Sequence, residues 1–144
     1  MSGSTDVPWQ GDACSLVDAF RSGERSPREE LEATYAAIES SELNCFAHLD
    51  PGRAFDAVET ADVNLPFGGV PAGIKELEPV EGWPHREASL VFKDRVATHT
   101  SHHIERLLRR GGVVPVGSTT SSEFGGLNVS VSKINGVAHN PWQH

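Results

Sequence analysis

At 144 residues, 38% of them hydrophobic, the chain is long enough to bury a core of its own. Twelve Lys and Arg against twenty Asp and Glu give a net charge of −8, and the basic residues are scattered, which argues against nucleic-acid binding. No apolar run approaches membrane-spanning length and the N-terminus has no signal-peptide core, so the expected compartment is the cytosol, with no membrane partner.

Residues 1–11 read as a flexible leader and residues 12–144 as the folded portion. Asp12 is placed to cap a first helix, "ACSLVDAFRSG", with Leu16, Val17 and Phe20 on its apolar stripe and Gly23 as its stop. Next comes a full start signal: Ser26 as N-cap, Pro27 at the first helical position and Glu29 closing a capping box, with Leu31, Tyr35 and Ile38 facing inward. "NCFAHL" reads as a strand or extended connector, and Asp50 with Pro51 opens a third helix to about Asp62.

From Pro66 the composition shifts. Gly and Pro punctuate "AGIKEL" and "EPVEGW", both read as short extended pieces. "TSHHIERLLRRGG" returns to helical spacing, with Ile104, Leu107 and Leu108 on one side and Gly111 as its stop. "VVPVGS" is a β-branched run suited to a strand buried on both faces. Strand, crossover helix and strand in that order predict an α/β fold, with N-terminal helices followed by part of a mixed, mostly parallel sheet flanked by helices. The final segment reads as a half-turn of helix and then loop, ending at "HNPWQH" with Trp142 outside, as in a piece of a larger fold.

Lys75, in "GGVPAGIKE", is the first candidate for chemistry. Gly68 and Gly73 have the spacing of a phosphate-binding loop, but Ile74 intervenes before the lysine, Glu76 follows it, and Pro71 lacks an N–H where the cradle needs donors. As a general base Lys75 would need a shielded amine; with Ile74 and Leu77 flanking it and strand alternation turning Glu76 to the opposite face, Lys75 is expected on an extended segment at the sheet edge, its side chain inward and its amine largely shielded. The alternative is a surface lysine whose stem covers apolar area. His99, His102 and His103 lack the further ligands of a zinc site and read as a solvated helix start. Cys14 and Cys45 read as partly buried thiols without redox or metal work. There is no G-x-S-x-G, and the hydroxyls Ser118 to Ser122 read as structural, acting as helix caps.

Three segments in fixed order resemble the amidase signature family: "GGVPAGIKE", "LLRRGGVVPVGSTTSSEFG" and "NGVAHNPW". The order of elements from Cys14 to Asp50 resembles the way such enzymes begin. The resemblance implies a hydrolase of carboxamide C–N bonds that acts on small amides without a metal or organic cofactor. It implies that Lys75 is the base of a Ser-cisSer-Lys triad. In the family a glycine- and serine-rich run after N-P-W supplies both serines, and no such run occurs in these 144 residues. The chain is therefore expected to be inert alone and to need the remainder of the fold, with a second polypeptide as one source. A non-catalytic binding or regulatory remnant is the alternative. Glu76 and Ser118 depart from the family's usual Asp and Lys.

Overall fold

The computed structural model of the chain describes residues 6–142; the first five residues of the expected leader and the final two of the chain lie outside the described residues. The chain divides into two compact units.

The first unit comprises Met1–Ser41, Asp50–Ala72 and Arg106–Val116. Helix α1, Ala13–Ser22, starts where the Asp12 carboxylate accepts the Ser15 N–H and stops at Gly23, whose φ of 76° is the left-handed conformation that glycine adopts without strain. Helix α2, Pro27–Glu39, opens with the complete Ser26/Glu29 capping box. Leu16, Val17, Phe20 and Leu31 are buried, whereas Tyr35 and Ile38 are only half-buried. The Tyr35 hydroxyl donates to the Val116 carbonyl at 2.8 Å, and its ring stacks on Phe55 of helix α3, Pro51–Glu59. Burial, with the Asp50 charge adding to it, pushes the Tyr35 hydroxyl up to about 12.

Helix α3 ends three residues before the expected Asp62, which instead forms a turn by accepting the Asn64 N–H. An ion pair that hydrophobic patterning does not reveal lies inside this unit: Arg25 and Glu30, only 7% and 4% exposed, meet at 2.6 Å. Trp9, in the stretch read as a leader, donates its N–H to both Glu30 oxygens at 3.1 Å. Burial outweighs these favourable partners and raises the Glu30 carboxyl above the usual range.

The second unit comprises Glu42–Leu49, Gly73–Glu105 and Gly117–His144. Strands β1 (Phe46–Leu49), β2 (Pro71–Lys75) and β3 (Val114–Thr119) form a sheet in the order β1-β3-β2; β1 and the later residues of β2 and β3 belong to this unit, while Pro71, Ala72 and Val114–Val116 fall within the first unit's segments. Strand β1 is antiparallel to β3, pairing His48 with Ser118 and Leu49 with Gly117. Val114 N–H donates to Val70 and Glu76 N–H donates to Thr119, so β2 and β3 advance together and are parallel. The sheet is thus mixed, with one antiparallel and one parallel neighbour for β3. That strand is buried almost throughout, as its β-branched run requires.

Three local readings are corrected. "EPVEGW" is a turn: Gly82 has φ of 86°, and an isolated antiparallel bridge joins Pro84 to Val96. The single helix expected over residues 100–112 is α4, His102–Arg106, widening into a π-helical turn over Leu107–Gly111, with the left-handed stop at Gly112. The end is set by tertiary bonds, because the carbonyls of Gly111 and Gly112 accept from Phe67 and Gly69. Finally, the C-terminal loop contains a hairpin, β4 (Val131–Ser132) with β5 (Gly136–Val137).

Gly117 is where β3 meets β1 most closely: a Cβ there would lie 2.2 Å from the His48 carbonyl oxygen. Gly117→Ala is expected to destabilise the chain by ~1–3 kcal/mol in urea unfolding, since backbone rather than a flexible side chain must move. Acid should also weaken the fold. Backbone N–H groups of Ser15 and Ser26 hold the Asp12 and Glu29 carboxyls below their ordinary values of 3.8 and 4.5. Such depressed groups stabilise the folded chain above the ordinary values, and that contribution disappears as pH falls through the lower folded values. Urea midpoints measured between pH 6 and pH 2, roughly the span over which carboxylates titrate, should therefore decline on the acid side.

Candidate active site

Lys75 ends strand β2, at the edge of the sheet. Alternation along this stretch is strict: Ile74 is buried, Lys75 exposed and Glu76 buried. The expectation that Ile74 and Leu77 would shield the amine is therefore corrected, because the inward face belongs to Ile74 and Glu76. Among the described residues the Lys75 ammonium has no hydrogen-bond or ion-pair partner.

Glu76 is the residue whose importance the sequence did not reveal. It is 2% exposed, and its Oε1 accepts three hydrogen bonds: from Ser121 N–H at 2.7 Å, Ser121 Oγ–H at 3.1 Å and Asn135 Nδ2–H at 2.7 Å. Its other oxygen, Oε2, is buried and has no hydrogen-bond partner among the described residues. Asn135 is held in turn, since its carbonyl accepts from Asn44 Nδ2 at 2.7 Å and its N–H donates to Ser132 Oγ at 3.0 Å. One carboxyl thus joins the residue after Lys75 to the loop following β3 and to the β4–β5 turn.

The hydroxyl run is structural, as expected, but not by capping. Ser122 Oγ both accepts the Leu127 N–H and donates to the Leu127 carbonyl, each at 3.0 Å, closing the loop between them. Ser118 and Ser121 are buried, at 3% and 1% exposure. Among the histidines, His103 lies 3.2 Å from Glu78 and His99 lies outside α4, and no metal-ligand cluster occurs among the described residues. Cys45 is half-buried, but Cys14 is exposed, which corrects the expectation for that thiol.

A second feature of this unit is an open cavity of about 700 Å³ lined by Ala88, Leu90, Glu123, Leu127, Val131 and Lys133 among others. One lining residue, Ala88, has a positive φ of 55°, and its neighbour Glu87 and Phe124, next to the lining Glu123, have φ of 50° and 54°. Phe124 N–H donates to the Glu87 carbonyl at 3.0 Å and Ser89 Oγ–H donates to Glu123 Oε1 at 2.6 Å, so these bonds hold the strained segments together. Arg95 pairs with Glu87 and lies over the Phe92 ring, 4.0 Å from its centre.

The family model described as Amidase matches residues 29–144. A glutamyl-tRNA(Gln) amidotransferase subunit from Methylacidiphilum infernorum (isolate V4) is 35% identical over 121 residues, covering 83% of this chain and 24% of that protein. Among solved structures, 6-aminohexanoate cyclic dimer hydrolase complexed with substrate aligns with a TM-score of 0.85 and 26% identity, over 98% of this chain and 29% of the other. The native peptide amidase from Stenotrophomonas maltophilia, at TM-score 0.82 and 21% identity, shares the fold over 93% of this chain and 30% of its own. The chain spans about a quarter of the length of the curated relatives it matches.

Apolar side chains are exposed around the hairpin: Leu127 at 67%, Val129 at 53%, and Val131 and Val137 at 45% and 46%. A hydrophobic dye such as anilinonaphthalene sulfonate should fluoresce strongly with the native chain. Replacing Leu127 and Val131 together by Ser should reduce that signal severalfold without moving the urea midpoint, because neither side chain is buried.

Proposed function

We infer, because the chain belongs to the amidase family, that it contributes the lysine of a Ser-cisSer-Lys triad to the hydrolysis of carboxamide C–N bonds. Lys75 follows the G-V-P segment at the family's lysine position. The observation that carries the reading is its placement at the end of β2, with an exposed amine that no carboxylate neutralises among the described residues, on a strand whose next residue is anchored inside.

In the proposed reaction the amine of Lys75, in its neutral form, takes a proton from a bridging serine. That serine takes one from the nucleophilic serine, whose oxygen attacks the amide carbonyl. The carbonyl π electrons move onto oxygen, and collapse of the tetrahedral intermediate breaks the C–N bond as the leaving nitrogen receives a proton. Water then attacks the acyl-enzyme ester by the same relay and releases the carboxylic acid. No metal or organic cofactor enters these steps. Neither serine is assigned within the 144 residues, because the described hydroxyls near Lys75's strand are buried in structural bonds and no glycine-flanked serine turn occurs in the sequence. Both are proposed to come from polypeptide outside them. That polypeptide would also cover the Lys75 amine, and desolvation favours the neutral form a base requires.

The test uses the purified chain with and without a second polypeptide carrying a glycine- and serine-rich segment from a family member. A serine-directed fluorophosphonate should leave the chain alone unlabelled and should label the second polypeptide in the mixture, which should hydrolyse 4-nitroacetanilide. Lys75→Ala should lower that hydrolysis by ~10²–10⁴-fold, the range for a lost general base. Labelling of the chain by itself would overturn the reading. So would hydrolysis that is indifferent to Lys75→Ala.

A further inference from the structure

The carboxyl of Glu76 is a costly structural element. Three donors converge on Oε1, while Oε2 is buried without a partner among the described residues, and an unsatisfied buried polar atom costs stability that an apolar residue would not. What the arrangement does supply is geometry. Glu76 is covalently joined to Lys75, its own N–H donates to the Thr119 carbonyl at 3.0 Å, and its side chain holds both the Ser121 loop and Asn135 of the hairpin turn. The strand end is therefore fixed from two sides, through its backbone to β3 and through its carboxyl to two segments distant in sequence. With Glu76 locked inward, the two-residue period of the strand leaves Lys75 only the outward direction.

We propose that Glu76 is the positioning residue for Lys75: its Oε1, bonded to Ser121 and Asn135, fixes the direction in which the lysine leaves the sheet. The inference rests on the reading of Lys75 as the base, for which aim matters: a displacement of about 1 Å at a catalytic group can cost ~10²-fold in rate. It also gives Asn135 a role, as the donor that ties the hairpin to the same carboxyl oxygen.

The test compares Glu76→Ala, Glu76→Gln and Asn135→Ala. Glutamine keeps an acceptor oxygen in place for the three donors; alanine removes it. In the 144-residue chain, Glu76→Ala should abolish hydrogen-exchange protection of the Ser121 amide and raise backbone mobility at Ile74 and Lys75 in ¹⁵N relaxation, while α1 and α2 keep their protection. Glu76→Gln should restore both. In the two-polypeptide mixture, kcat for 4-nitroacetanilide should fall by ~10–100-fold in Glu76→Ala with KM within about twofold, and stay within about threefold of the parent in Glu76→Gln. If Glu76→Ala does not fold, Asn135→Ala, at a half-buried site, carries the comparison with an expected loss in kcat of ~3–10-fold. An unchanged Ser121 amide and unchanged Lys75 mobility in Glu76→Ala would overturn the proposal, whatever the activity. So would lost order at Lys75 with kcat intact. Hydrolysis that survives Lys75→Ala would instead sink the catalytic reading and leave the anchor to be judged by exchange and relaxation.

Discussion

Side chains on a strand alternate between its two faces, and at the end of β2 that constraint decides what every neighbouring group can do. Ile74 and Glu76 share the inward face, one supplying apolar contact and the other a hydrogen-bond acceptor, so Lys75 faces outward. The loop after β3 could not take its observed path without Glu76, because the buried Ser121 N–H would lose its acceptor. The β4–β5 turn depends on the same oxygen through Asn135. A single register thus sets the lysine, the loop and the hairpin together.

The second unit relies on buried polar groups. Ser89, Ser118, Ser121 and Ser122 are all at most 3% exposed, and Ser89, Ser121 and Ser122 bond to carboxyls or backbone groups. Such bonds each contribute about 1 kcal/mol net, but breaking one inside the fold costs more than forming it gained. They make loops specific rather than merely stable. Strained backbone at Glu87, Ala88 and Phe124 persists in this setting, because the surrounding hydrogen bonds overdetermine its path. The cavity that Ala88 lines has apolar residues and both signs of charge around it.

The first unit is built differently. Its helices are positioned by caps and by apolar stripes, and a deeply buried ion pair, Arg25 with Glu30, is completed by the Trp9 amide. A buried pair of this kind is weak evidence for stability, since desolvation opposes the attraction; the raised Glu30 carboxyl shows the same opposition. Its consequence is specificity of path: residues preceding α1 are drawn onto α2.

Local chemistry determined the helix starts in the sequence itself. Asp12, Ser26 with Glu29, and Asp50 each satisfy amides within three residues, so no distant group was needed to read them. The β-branched run of β3 was legible for a similar reason, since a run without polar alternation suits burial on both faces. The three family segments were legible because they are contiguous. What only the tertiary structure decided were features set by partners far along the chain. The stop at Gly112 depends on residues 67 and 69, the β4–β5 hairpin is tied through Asn44, and Glu76 is bonded to residues 45 and 59 positions away. Alternation was also legible, and it correctly separated Lys75 from Glu76. Which of those two faces lay inside was not, because a two-residue period assigns residues to faces without saying which face meets the core, and three hydrogen bonds from distant donors settled it for Glu76.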